Sequence, residues 1–147
     1  MNRIWISVLA SLCFIFFVDQ MIKAFFLEGF RWQGEFFSLI LTYNKGAFSM
    51  FAFLEEYLKY IQLLLIGGLS IYLMLHKEIL HTYTLPIGII SGAALSNIYD
   101  RFIHGGVVDY FYWHYGFEFA VFNFADVMID FGVLLILYRS WRAPKKA

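Results

Sequence analysis

The sequence has one cysteine, Cys13, so an intramolecular disulfide is excluded and cysteine usage says nothing about compartment. Charge is scarce. Asp, Glu, Lys and Arg make up 15% of the residues and the formal net charge is zero, which excludes the basic footprint of a nucleic-acid-binding protein. There are only two prolines, and no linker, repeat or low-complexity stretch divides the chain, so it reads as a single domain over residues 1–147. No His-Glu-x-x-His or other paired-ligand spacing occurs among His76, His81, His104 and His114. A metal site made of His104, Asp109 and His114 has nothing further to support it, and no metal or cofactor is expected. No Gly-x-Ser-x-Gly elbow occurs, and Cys13 lies within an apolar run, so serine or cysteine nucleophilic chemistry has no candidate.

What the chain does have is apolar surface. Hydrophobic residues make up 61% and aromatics 22% of 147 residues, far more than a water-soluble domain of this length can cover. A membrane-spanning helix needs about 20 mainly apolar residues. Four stretches approach this, over residues 4–26, 57–75, 84–99 and 121–141. The first follows Arg3 like a leader peptide, but no small-x-small site closes it and it continues past Cys13, which predicts a retained helix. Arg3, Lys77, Arg139, Arg142, Lys145 and Lys146 fall on one side, which predicts that both termini are cytoplasmic. The long connections, residues 27–56 and 100–120, then face outward. The aromatic and alternating character of Phe30, Trp32, Phe36, Phe37, Leu39, Leu41 and Tyr43, and again around Tyr110, Tyr112 and Trp113, predicts short strands packed on the outer face of the bundle.

Ionisable side chains in membrane segments are costly, and that makes them candidates for function. Asp109, in Gly-Val-Val-Asp-Tyr, and Asp126, in Phe-Asn-Phe-Ala-Asp, stand near the outer end. They are too far apart in sequence to share a helix face. They meet only if the outer loop folds back over the last helix. Two carboxylates so joined cannot easily both ionise, and one proton is then shared. The competing reading leaves Asp109 in water and Asp126 at a helix start, although Asn123 is also a good N-cap. Asp130, one turn deeper than Asp126, competes as a partner and reads as a buried carboxyl bonded to a neighbouring helix.

Around this pair lie further polar groups. Asn97-Ile-Tyr-Asp100-Arg101 is either a solvated helix end or a polar scaffold, with an ion pair expected between Asp100 and Arg101. Asn44-Lys45-Gly46 reads as a turn, with Gly46 free to adopt a positive φ. Asp19 and Lys23 are spaced i, i+4, the order that favours an ion pair, and read as structural. Gly88, Gly92 and Ser96 form a small-xxx-small stripe suited to close helix packing.

Together, Asp19 with Lys23, Asn44-Lys-Gly-Ala-Phe, Asn97-Ile-Tyr-Asp-Arg, Val107-Val-Asp-Tyr and Phe122-Asn-Phe-Ala-Asp resemble the motifs of the bacterial lipoprotein signal peptidase (signal peptidase II) family, in order and over nearly the whole chain. The resemblance implies an all-α membrane fold: four transmembrane helices, a small extracytoplasmic β-sheet and a short periplasmic helix. It implies that Asp109 and Asp126 are the catalytic dyad, with Asn44, Gly46, Asn97, Asp100, Arg101 and Asn123 in binding or supporting places and Asp130 outside the motif. The implied substrate is a prolipoprotein carrying a diacylglyceryl-cysteine, cut just before that cysteine by a water activated between the aspartates. The implied setting is the bacterial inner membrane, with the enzyme a monomer in contact with lipid and its site on the outer face. A proton-coupled transporter or channel using the carboxylates as a relay is the alternative, and it needs them deep in the bundle. Three departures from the family pattern stand out. Ser96 replaces the usual glycine, Tyr110 stands where phenylalanine is commoner, and one alanine, Ala47, precedes Phe48 where the family has two. The last change predicts an altered loop after Gly46.

Overall fold

The computed structural model describes residues 2–46 and 55–142. The elements run α1 (Asn2–Leu27), β1 (Trp32–Gln33), β2 (Phe37–Asn44), α2 (Glu55–Leu75), α3 (Lys77–Thr82), α4 (Thr84–Ile103), β3 (Val107–Trp113) and α5 (Phe124–Arg142). The fold is therefore mostly helical with one small antiparallel sheet, ordered β1-β2-β3. Two helical stretches, Arg3–Leu27 and Glu56–Leu75, are long and apolar enough to cross a membrane, with mean hydropathies of 1.9 and 1.7. α4 and α5 are less apolar because they carry Asn97, Asp100, Arg101, Asp126 and Asp130. The expected span over residues 84–99 runs on to Ile103, so Asn97 to Arg101 lie in its last turns. The expected span over residues 121–141 starts later, at Phe124, because Phe122 is bridged to Phe111 of β3.

α4 lies between α1 and α5. Its small residues allow the approach that the stripe predicts: a Cβ at Gly88 would strike the Ser11 side chain and the Val8 carbonyl, and one at Gly92 the Leu12 backbone. On the other side Gly132 of α5 sits against Ile90. Ile15, Ile89, Ala93 and Ala125 form the shared core, with Met128 and Ile129 against it. α2 is different: Leu64, Leu65 and Leu75 are 77%, 67% and 74% exposed.

The two ends of the bundle differ in character. At one, Arg3 and Arg139 line a hollow with Ser7 and Thr84, and Arg139 Nη1 donates to the Thr82 carbonyl of α3 at 2.8 Å. At the other lies the sheet. Stacking of Phe26 on Tyr110, with ring centroids 4.1 Å apart, ties α1 to β3. The β2–β3 register is irregular. Leu39 faces Phe111 and Thr42 faces Asp109, so β2 carries one residue more than its partner in between. The short helix seen, α3, joins α2 to α4 at the end away from the sheet. A short helix beside the sheet does not occur among the described residues. Ala47 and Phe48, the loop expected to be altered, lie outside them, as do Lys145 and Lys146.

Candidate active site

β3 carries Asp109 inward: Val107, Val108, Asp109 and Tyr110 are all buried, and Asp109 is 1% exposed. Asp126 stands in the first turn of α5, half-buried. Asn123 joins them. Its Nδ2 donates to Asp109 Oδ1 at 2.7 Å, and its backbone N–H donates to Asp126 Oδ2 at 3.1 Å. The Asp126 N–H returns a bond to Asn123 Oδ1 at 2.9 Å, so Asn123 is the N-cap and Asp126 closes a capping box. The same capping geometry that starts α5 therefore brings the second carboxylate to the first.

The remaining oxygens are also engaged. Asn44 Nδ2 donates to Asp109 Oδ2 at 2.9 Å, and Asn97 Nδ2 donates to Asp126 Oδ1 at 2.9 Å. Asn97 Oδ1 accepts from Asn123 Nδ2 at 3.1 Å and from Lys23 Nζ at 2.9 Å. Each carboxylate thus accepts on both oxygens from amide groups rather than from a cation. Burial pushes the Asp109 carboxyl up to about 6. The bond from Asn44 opposes this, the Asp126 charge adds to it, and Asn123 and Lys23 oppose it in turn. A group placed there holds a proton far more readily than an ordinary aspartate.

Behind the amides lies a buried ionic layer. Lys23 Nζ is 2.6 Å from both Asp19 Oδ2 and Asp100 Oδ2, all three side chains being almost fully enclosed. Asp19 Oδ1 accepts the Ala125 N–H at 2.9 Å and Asp19 Oδ2 the Ser96 hydroxyl at 2.7 Å, so α1 fixes both α5 and α4. Asp100 accepts the Val108 N–H at 3.1 Å, which fixes β3 beside Asp109. A buried charge is tolerable only when paired and hydrogen-bonded, as here.

Two expectations need correction. Asp100 does not pair with Arg101, because neighbouring residues on a helix point in different directions. Asp100 meets Lys23, while Arg101 Nη1 donates to the Lys45 carbonyl at 2.9 Å and clasps the end of β2. Gly46 makes room for it. Its φ is +77°, and a Cβ there would come within 2.5 Å of Arg101 Nη2. Asp130 is exposed on α5 rather than buried. Of the two readings left open for Asn97 to Arg101, a solvated end does not fit Asn97 and Asp100, which are both buried.

Sequence reasoning missed Gln20, whose Nε2 donates to Ser96 Oγ and Asp100 Oδ1, each at 2.8 Å. Its signal was its place beside Asp19 and one turn before Lys23. Ser96, read as packing, is also a hydrogen-bonding member of the layer. Tyr110 gains a role from its hydroxyl, which accepts the Phe124 N–H at 2.9 Å and satisfies an open donor at the start of α5. His114 Nε2 pairs with Ser38 Oγ at 2.9 Å and His104 lies against Tyr43, so both are engaged with β2.

The chain is similar to known proteins. The model of the family described as signal peptidase (SPase) II matches residues 11–142. A lipoprotein signal peptidase of Wolinella succinogenes is 57% identical over 132 residues, covering 89% of this chain and 90% of that protein. One from Helicobacter pylori is 56% identical over 133 residues, covering 90% and 85%. A bacterial membrane enzyme structure solved by the in meso method at 1.9 Å resolution superposes with a TM-score of 0.76 at 21% identity, covering 94% of each chain.

Proposed function

The chain belongs to the signal peptidase II family, and from that premise we propose that Asp109 and Asp126 are the catalytic dyad of its protease activity on lipoprotein precursors. That the enzyme is a lipoprotein signal peptidase follows from the family and from relatives more than half identical over most of the chain. One observation carries the assignment of the dyad: Asn123 hydrogen-bonds both carboxylates at once, through its side chain and its backbone.

The substrate in this proposal is a precursor bearing a diacylglyceryl-cysteine, cut just before that cysteine. One proton is held between the aspartates, and the raised value of Asp109 supports this. The ionised member takes a proton from water as it attacks the scissile carbonyl carbon. The protonated member donates to the carbonyl oxygen, and on collapse the amine of the cysteine leaves with a proton. The proton belongs to the pair, and the roles exchange within the cycle. Asn44 and Asn97 hold the carboxylates in place, and Lys23, Asp19 and Asp100 hold the asparagines and the elements that carry them.

The proposed setting has α1, α2, α4 and α5 as four spans of one domain in the bacterial cytoplasmic membrane, the enzyme acting as a monomer surrounded by lipid. The gathering of Arg3 and Arg139 at the end that carries Lys77 of α3 supports placing that end, with both termini, in the cytoplasm and the sheet outside. The lipid of the substrate then stays in the bilayer while its peptide reaches the dyad.

The test is cleavage of a lipidated precursor by purified enzyme, followed by mass spectrometry. Asp109→Asn and Asp126→Asn should each lower turnover by roughly 10³-fold or more, since a single member of a catalytic unit carries most of its effect. Asp130→Asn should stay within about threefold of wild type, as an exposed site away from the network. Near-normal turnover by either dyad variant would refute the assignment.

A further inference from the structure

One polar side chain is out of character with the helix that carries it. From Ile61 to Leu75, the residues of α2 with a hydrogen-bonding side chain are Gln62, Ser70 and Tyr72. Ser70 satisfies itself, its hydroxyl donating to the Ile66 carbonyl at 2.8 Å. Tyr72 is 46% exposed and stacks on His76. Gln62 is half-buried, and its Oε1 is enclosed with no hydrogen-bond partner among the described residues. Enclosed acceptors are almost always paired, so an unpaired one marks a place where another molecule supplies the donor.

Gln62 lines a cavity of about 190 Å³ between three helices, with Leu65 and Ile66 of α2, Ala94 and Asn97 of α4, and Ile129 of α5. Asn97 is the residue whose Nδ2 donates to Asp126 Oδ1. The cavity is thus one side chain away from the carboxylates, apolar along its walls, and supplied with one open acceptor. An extended peptide in a bilayer brings the matching group, because its backbone N–H groups find no water there. A lipid chain brings no donor.

We propose that Gln62 is a substrate-positioning residue, its Oε1 accepting one backbone N–H of the signal-peptide segment and so seating the chain beside Asn97. The proposal rests on the reading of Asp109 and Asp126 as the dyad and adds a residue of α2 to the substrate site. Gln62 touches no reacting atom in this role and acts on binding rather than on the proton transfers.

The test uses the full-length enzyme in detergent or bicelles and a synthetic diacylglyceryl peptide spanning the cleavage site. Each N–H of its signal segment is replaced in turn by an ester oxygen. Gln62→Leu should raise KM about 3- to 10-fold, the range of one neutral hydrogen bond, with kcat and the pH profile unchanged. Gln62→Asn, polar but shorter, should raise KM similarly. At one position the ester should raise KM for the wild type and add nothing for Gln62→Leu. Unchanged KM in Gln62→Leu, or ester effects equal in both enzymes at every position, would overturn the proposal, the second outcome pointing to a bound water as the donor. Asp126→Asn assayed alongside separates the two ideas: if it cleaves normally the dyad is wrong, whereas a failure confined to Gln62 leaves the dyad standing.

Discussion

α4 has 20 residues and α2 has 21, and each joins the α3 end of the bundle to the sheet end. α4 buries Pro86, Gly88, Ile89, Gly92, Ala93, Ser96, Asn97, Ile98 and Asp100, whereas α2 buries little beyond Leu73. The more apolar of the two, α2, is the less buried. α4 is held by small residues that admit a neighbour's backbone and by polar groups that bond across helices; α2 presents bulky leucines and makes few such bonds. In a bilayer, apolar surface alone gives a helix no reason to prefer a protein neighbour over lipid. The helix that shapes the site is therefore the one with the smaller and more polar side chains.

The largest effect that would test this contrast lies in the ionic layer. Lys23→Met leaves Asp19 and Asp100 buried without their cation, and breaking such a cluster costs about 3–5 kcal/mol. Thermal unfolding in detergent should show a large drop, with turnover lost in parallel. A variant of normal stability would show that the layer does not hold α1 to α4.

Next come the glycines. Gly92→Val drives a side chain into the Leu12 backbone and should cost about 1–3 kcal/mol or more. Gly67→Ala on α2 meets nothing within 4 Å and should be neutral or stabilise by up to about 1 kcal/mol through helix propensity. Equal losses at both positions, read from the shift in melting temperature, would erase the distinction between the helices.

The smallest expected change is in the pH dependence. Asp109 is carried from 3.8 to about 6, chiefly by burial, so in the folded state its proton is retained over that interval. The folded state then binds more protons than the unfolded chain. The stability this group contributes is present below about 3.8 and is lost as pH rises through about 6. In kcat/KM the alkaline limb should lie near 6. The Asn44 amide favours the ionised form, so Asn44→Ala should move that limb to higher pH. A limb that stays in place or moves down would break the link between Asn44 and Asp109.

Much of this was legible in the chain. The helices follow from long apolar runs, the stripe of Gly88, Gly92 and Ser96 announced a close contact, and the i, i+4 spacing of Asp19 and Lys23 announced their pair. The ordered motifs pointed to Asp109, Asp126 and the asparagines. Less legible was anything decided by a partner distant in sequence. Arg101 is adjacent to Asp100, and only the packing of α1 on α4 reveals that Lys23 is the true partner. Gln20 carries no motif, and its role comes from Ser96 and Asp100 on another helix. Tyr110 looked like a minor change until α5 brought the Phe124 N–H to its hydroxyl. Asp130 followed a correct periodicity to a wrong environment, because spacing gives a face but not what covers it.

The irregular pairing of β2 with β3 gives the sheet a sense of number. Strand side chains alternate between two faces, so whether Asn44 reaches Asp109 depends on odd or even spacing. The three steps from Leu39 to Thr42 opposite two from Phe111 to Asp109 set that parity. Losing one residue there would make the pairing regular and keep Asn44 aimed at Asp109, while losing two would turn it away with every named site residue intact. Chain length between Leu39 and Thr42 is thus information that the site reads, as surely as it reads the identity of Asn44.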